Sequence, residues 1–317
     1  MEKFRRPTEY RSGYVSCPSI RGSMHNRHLR HQILLFFFLF LMILTRLSAL
    51  PTWESRTEKQ HIEEQPKRII SLSPNVTETI YALDAEHLLV GRSDYCDYPQ
   101  KVLELPSVGT LYNPSLEKIL SLDPTLVISS AFVPEQLLNS VQQAGIEVIS
   151  LSAQQSFQGT YELIRIIAEA VDKESEAELI ILQMQNKVRE IALQANTAEK
   201  PKVYIAIDFG SFDATATGDT FLGDMIELAG GINVAKEASN WTFNKELLVA
   251  SEPEIILLSP RWGESGEDTL KEFTSTKPYS DLEAVIHIFD ADAISRQGPR
   301  SAEGLKQLFE LIHQEQE

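Results

Sequence analysis

Cysteine occurs only twice in 317 residues, at Cys17 and Cys96. The two fall on opposite sides of an apolar segment expected to be removed or held in a membrane, so no structural disulfide is predicted. Basic charge is also short: 29 Lys and Arg stand against 45 Asp and Glu, a formal charge of −16. That balance lacks the basic face nucleic acid requires and excludes that partner class. Histidine is scarce beyond residue 49, where His61, His87, His287 and His313 remain, none within helical or hairpin spacing of another. A zinc or manganese centre built on several histidines is excluded with it, and no metal site is predicted. The chain also lacks a phosphate-cradling GxxxxGK[ST], a GxSxG elbow and an HExxH helix. Cys96 has Asp94 and Asp97 as neighbours, whose charge disfavours a thiolate nucleophile. No catalytic residue is predicted, and the protein is read as a non-enzyme without a resident cofactor. At 43% hydrophobic and 23% charged, it is an ordinary globular composition, long enough for one large or two medium domains.

The net charge is a composite. Residues 1–49 hold eight basic and two acidic side chains, which leaves 21 basic and 43 acidic, or −22, for residues 50–317. Between the two regions runs an unbroken apolar stretch of twelve residues, Ile33–Leu44. A spanning helix needs about 20 apolar residues and a signal-peptide core about 7–15. The basic lead-in, the short core and the small-residue end at Ser48–Ala49 predict an export signal over 1–49, with Met24 as an alternative start. A retained membrane anchor is the competing reading. Residues 50–66 are polar and aperiodic, as a tether would be, and the destination is the periplasm.

From Lys67 the pattern is strand, turn, helix, repeated. Strands are predicted at 68–72, 88–91, 126–129, 148–151, 203–207, 255–258 and 285–289. Helices are predicted at 76–83, 115–122, 134–144, 157–171, 220–229, 244–251, 267–275 and 301–313. Asn75 and Glu78 have the spacing of a capping box for the first helix. Alternation of this kind predicts an α/β fold with mainly parallel sheets. One longer helix, 175–196, opens on a second capping box at Ser175 and Glu178. Ile180, Met184, Val188, Ile191 and Ala195 form one apolar stripe on it, and the helix spans about 32 Å, enough to cross between domains.

An internal repeat divides the rest. Residues 116–128 and 245–257 align without gaps at an offset of 129, placing Glu117 on Glu246, Ile119 on Leu248, Asp123 on Glu252 and Pro124 on Pro253. Each copy reads as a short helix, an acid–Pro turn and a buried strand. A twofold repeat is no solenoid, so it predicts two similar lobes, 67–155 and 201–317. The helical connection between them, 156–200, contains the long helix.

Loops expected after the strands are rich in aromatics. They include Tyr95 and Tyr98 in Ser93-Asp-Tyr-Cys-Asp-Tyr-Pro99, Tyr112 in Gly109-Thr-Leu-Tyr-Asn-Pro114, and Phe132. The second lobe adds Phe209, Phe212, Trp241 and Trp262. Ligands of open α/β sheets collect outside the carboxyl ends of the strands, where such loops converge. Aromatics on two facing lobes suit a large, flat, partly apolar ligand, and Arg261, Arg296 and Arg300 are candidates for its anionic groups.

The stretch Arg68-Ile-Ile-Ser-Leu-Ser-Pro-Asn-Val-Thr-Glu-Thr-Ile80, followed by Gly91-Arg-Ser-Asp-Tyr-Cys-Asp-Tyr-Pro99, resembles the substrate-binding proteins of cobalamin, haem and iron–siderophore ABC importers. The likeness covers about 66–313 and is strongest to the cobalamin-binding branch. It implies two α/β lobes joined by one rigid helix, a monomer, a corrinoid held between the lobes, and delivery to a membrane permease and its ATPase. By resemblance the ligand-binding positions are Tyr95, Tyr112, Trp241 and Arg296, with Phe132, Phe209 and Trp262 completing the aromatic set. In the segment Ser295-Arg-Gln-Gly-Pro-Arg-Ser301, Gln297 replaces a proline common in the family. Glu117 and Glu246 match the family's permease-docking glutamates; without the resemblance they would be capping or dipole residues. The alternatives are the same role for haem or a ferric siderophore, a tetrapyrrole-metal chelatase on the same fold, and an anchored sensor domain.

Overall fold

The computed structural model describes residues 66–130, 133–211, 213–261, 263–290 and 294–314. The segments expected as export signal and, but for its last residue, as tether lie outside the described residues. Short apolar runs form the strands that two sheets are built on. Strands β1 (Ile69–Ser71), β2 (Leu89–Arg92), β3 (Leu126–Ser129) and β4 (Glu147–Ser150) pair in the order β2-β1-β3-β4, all parallel. In the second sheet β5 (Lys202–Asp208), β8 (Ile255–Leu258) and β9 (Val285–Ile288) are parallel neighbours. Two-residue strands β6 (Ala214–Thr215) and β7 (Ile232–Asn233) flank β5, the former antiparallel.

Central parallel strands are covered on both faces, which is why they read as continuous apolar runs. Alternate residues serve different cores. Ile69, Ile128, Val203, Ile205 and Leu257 face one large core that spans both sheets. Ile70 and Val127 face a separate core in the first lobe, and Tyr204, Ile256 and Leu258 another in the second.

The shared core is roofed by α4 (Phe157–Ala170), α5 (Glu174–Ala195), α6 (Phe221–Leu228) and α9 (Ser301–Ile312). Helix α5 is 22 residues long, about 33 Å at 1.5 Å per residue. It buries Ala177, Ile181, Met184, Ile191 and Ala195, while Ile180 and Val188 pack at the margin. The capping box expected at its start is not formed. The helix begins a residue earlier, after Lys173, and Glu178 instead pairs with Arg165 on α4 at 2.6 Å. The result is the expected α/β fold of two similar lobes with mainly parallel sheets joined by a long helix.

The other capping box is also replaced. Helix α1 (Pro74–Ala82) starts after Ser73, with Pro74 in its first turn and no side-chain cap. Proline suits that position because its missing N–H has no intrahelical partner there. Asn75 and Glu78 are thereby released for contacts outside the helix.

The two repeat copies become α2 (Leu116–Ser121) and α7 (Lys245–Ser251), each packed on the outer face of its own sheet through Ile119 or Leu248. Asp123 and Glu252, at equivalent positions after them, both adopt left-handed backbone, with φ of 47° and 49°. The remaining helices α3 (Glu135–Gln143) and α8 (Gly266–Ser275) cover the outer cores. Among the described residues no helix is long and apolar enough to cross a membrane.

Candidate functional site

Parallel strands bring their carboxyl ends to one edge, and the aromatic loops leave from there. After β2, the loop 93–99 folds back on β1: the Ser93 N–H donates to the Ser71 carbonyl at 3.0 Å, and buried Cys96 lies 3.3 Å from the Ser93 hydroxyl. With Cys96 buried beneath the loop, Tyr98 is exposed and Tyr95 half-buried. The Asp94 N–H donates to the Gly109 carbonyl at 2.8 Å, and the Ser107 hydroxyl donates to the Asp94 carboxylate, which ties this loop to the next one. Gly109 sits at φ +113°, a conformation side chains rarely adopt. The two loops bring Tyr95 and Tyr112 into edge-to-face contact, with ring centroids 6.2 Å apart. Tyr112 remains 63% exposed, an open aromatic surface.

In the second lobe Trp241 is 39% exposed and has φ of +62°, following Asn240 at +58°. Consecutive left-handed residues are uncommon, and a bulky side chain there is a real outlier. Neighbours hold the conformation in place. The Thr215 N–H donates to the Trp241 carbonyl at 2.9 Å, and the Trp241 N–H donates to the Thr217 hydroxyl at 3.2 Å. Asp219 accepts from the Thr217 hydroxyl at 2.5 Å and from the Asn240 N–H at 2.9 Å.

Tyr112 and Trp241 are separated by the repeat offset of 129. Each exposed aromatic stands five residues before its glutamate on the loop that leads into α2 or α7. Ser115 caps α2 by accepting from the Lys118 N–H, and Asn244 caps α7 by accepting from the Glu246 and Leu247 N–H groups. Glu117 and Glu246 occupy the first turns, both exposed, where a carboxylate also favours the helix dipole.

Phe209 requires correction as a ligand wall. It is 2% exposed, packed edge-on against Phe273 and Tyr279, with the Arg261 guanidinium 3.9 Å over its ring. It therefore belongs to the second lobe's outer core. Arg261 is engaged there as well, by Asp208 at 3.1 Å and Glu272 at 2.7 Å. Phe132, Phe212 and Trp262 lie outside the described residues.

Sequence reasoning missed a charged cluster. Glu78, 3% exposed at its side chain, accepts from Arg296 at 2.9 Å and from Arg300 at 2.8 and 2.9 Å. Arg296 also reaches Asp97 at 2.7 Å, and Arg300 stacks 3.9 Å over the Tyr98 ring. Burial would raise the Asp97 carboxyl, but the hydrogen bond and charge of Arg296 hold it below the ordinary carboxylate range. The Arg300 guanidinium is held charged more firmly than usual, chiefly by its hydrogen bond to Glu78. Gln297 adds bonds to the Gln154 carbonyl at 2.7 Å and from the Asn75 amide at 3.1 Å. The segment 296–300 thus clasps the first lobe to the second. Arg296 is committed to two carboxylates, and each of the three arginines considered for anionic ligand groups has a carboxylate partner.

Among the described residues, no group of three or more His, Cys, Asp or Glu side chains is placed to hold a metal ion. A groove of about 570 Å³ opens between β9 and α9, lined by Ile288, Phe289, Ile294 and Leu311, and Tyr95, Tyr98, Tyr112, Phe209 and Trp241 are not among its lining residues.

The family model described as periplasmic binding protein matches residues 69–288. The uncharacterized ABC transporter substrate-binding lipoprotein YvrC of Bacillus subtilis is 30% identical over 265 residues, covering 80% of this chain and 82% of its own. The vitamin B12-binding protein of Photorhabdus laumondii is 26% identical over 253 residues, covering 78% of this chain and 88% of its own. Among solved structures, the periplasmic heme-binding protein RhuT from Roseiflexus sp. RS-1, in apo form, aligns with a TM-score of 0.68 at 26% identity, covering 78% of this chain and 98% of that one.

Proposed function

Because the chain belongs to the periplasmic binding protein family and is a substrate-binding protein of the ABC-importer type, we propose that it carries a corrinoid between its two lobes and delivers it to a membrane permease without altering it. The observation that carries this reading is the matched placement of Tyr112 and Trp241. One exposed aromatic in each lobe stands on the loop that leads into the helix bearing Glu117 or Glu246. A corrinoid offers large apolar faces to such rings. Tyr95, in contact with Tyr112, extends the platform in the first lobe. The relative named for vitamin B12 supports the corrinoid assignment.

The docking part of the proposal rests on charge. A body at −22 is repelled by anionic lipid, so productive contact needs discrete carboxylate–guanidinium pairs. Exposed Glu117 and Glu246, one per lobe, supply them. Export by the N-terminal signal places the protein on the outer face of the inner membrane.

The resemblance to a heme-binding structure at 26% identity favours a second reading, the same role with haem as cargo. Parallel titrations of the exported protein with cobalamin, cobinamide, haem and a ferric siderophore, read by tryptophan fluorescence and calorimetry, separate the two. The corrinoid reading expects tight binding of cobalamin, loss of that affinity in Trp241→Ala, and no turnover in a metal–tetrapyrrole assay. Tight binding of haem with no response to corrinoids would replace it. For docking, Glu117→Arg with Glu246→Arg should abolish uptake while ligand affinity stays unchanged; wild-type uptake by that variant would refute the role.

A further inference from the structure

Singly exposed leucines and valines are ordinary on protein surfaces and need no explanation. The two on the docking helices differ because they recur. Leu120 on α2 is 42% exposed and Val249 on α7 is 40% exposed, and they are separated by the same offset of 129 as the glutamates. The five positions 116–120 and their counterparts 245–249 share one pattern: intermediate, exposed, exposed, buried, exposed. At the buried position, Ile119 and Leu248 are aliphatic because each fills a core. Leu120 and Val249 have no such reason, since neither belongs to a core cluster. The other exposed counterparts differ in chemistry: Lys118 matches Leu247, and Ser121 matches Ala250. Besides the glutamates themselves, 120 and 249 form the exposed pair in these helices that stays alike in both lobes.

Residues three apart lie side by side on one helical face. Glu117 with Leu120, and Glu246 with Val249, each therefore form a carboxylate beside an aliphatic knob, repeated once per lobe. We propose that these are two-part docking elements for the permease. Its receptor site would join a guanidinium, which takes the carboxylate, to an apolar wall that buries Leu120 or Val249. The inference rests on the docking role of Glu117 and Glu246. It assigns a further source of affinity, one that salt does not screen, since ion pairs weaken as ionic strength rises and apolar burial does not.

The test measures binding of the exported protein to its permease–ATPase complex in lipid nanodiscs at about 0.15 and about 0.5 M salt. Leu120→Gln with Val249→Gln is expected to weaken binding about tenfold or more, with the loss undiminished at the higher salt. Glu117→Gln with Glu246→Gln is expected to weaken binding strongly at low salt and less at high salt. Leu179→Gln, at a 62% exposed position on α5, should change nothing. Wild-type affinity in the Leu120/Val249 variant alongside a loss in the glutamate variant overturns this inference and leaves glutamate docking standing. Wild-type affinity in both variants overturns both. An equal loss from Leu179→Gln, or a lowered melting point or cargo affinity in the Leu120/Val249 variant, assigns the effect to general surface apolarity or to the lobe fold and also overturns it.

Discussion

Glu78→Gln tests the charged cluster that clasps the lobes. The substitution keeps volume and one acceptor oxygen but removes the charge. Glu78 and Asp97 both face the two guanidiniums in the native cluster; the variant keeps Asp97 and loses the Glu78 charge. Three charge-assisted bonds of 2.8–2.9 Å end on Glu78, whose side chain is 3% exposed, while Arg296 is 13% and Arg300 31% exposed. Removing one partner of a buried pair costs about 3–5 kcal/mol, and the partial exposure of Arg300 argues for the lower end, about 3 kcal/mol. For a folded body of this size that is a fall in Tm of about 6–12 °C. Urea unfolding followed by circular dichroism, with an unchanged m-value, measures it directly. Glu78→Met with Arg300→Met removes both members, so the cycle should show coupling of at least about 1.5 kcal/mol. Coupling below about 0.5 kcal/mol, or a loss below about 1 kcal/mol in Glu78→Gln, would refute the argument and reduce the cluster to an ordinary surface ion pair.

Three further outcomes follow from local geometry. A Cβ at Gly218 would lie 1.9 Å from the Lys236 carbonyl oxygen, so Gly218→Ala must displace the loop whose Thr217 and Asp219 hold Trp241. It should cost about 1–3 kcal/mol and weaken cargo binding; full retention of both refutes the placement. Asn244→Ala removes the cap that serves two N–H groups of α7 and should cost about 1 kcal/mol in urea unfolding. A change below about 0.3 kcal/mol would mean the cap contributes nothing. Asp97 has a folded-state pKa below its ordinary 3.8, so its pairing contributes stability above that value, lost as pH falls through the lower folded value. Asp97→Asn should therefore be less stable than wild type at pH 6, with the gap closing as pH falls below 3.8 and through the lower folded value. A gap independent of pH would exclude the carboxylate as its source.

The sheets were legible because parallel strands buried on both faces leave short apolar runs such as Leu126–Ile128 and Ile255–Leu258. Helix α5 was legible from its uninterrupted period, and the repeat from acid and proline at a fixed offset. Glu78 was misread for a physical reason. Its spacing to Asn75 fits a local cap, whereas its partners lie 218 and 222 residues away. No pattern within a window of one helix reports such a contact. Phe209 was misread similarly: the loop after β5 locates the residue, but its inward turn depends on Phe273 and Tyr279, contributed much later in the chain. Strands β6 and β7, two residues each, are too short to show any period.

Two links of unlike character now join the lobes. Helix α5 contributes buried aliphatics to a core shared by both sheets, and the 296–300 segment contributes charge-assisted bonds across to α1 and the 93–99 loop. A hinge that swings widely needs a connection able to absorb large φ/ψ changes. A 22-residue helix packed along its length cannot supply one without breaking its ladder. The separation of Tyr112 and Trp241 should therefore be nearly set before cargo arrives, which selects ligands by the preformed gap. Small-angle scattering tests this. Residues 66–314 have an expected radius of gyration of about 18 Å, and loaded and empty wild type should coincide within error. Glu78→Gln, with the clasp weakened and α5 intact, should widen the empty state slightly and make loading visible as a contraction. A large contraction on loading in wild type would show that the lobes swing freely, and the argument from α5 and the clasp would fail.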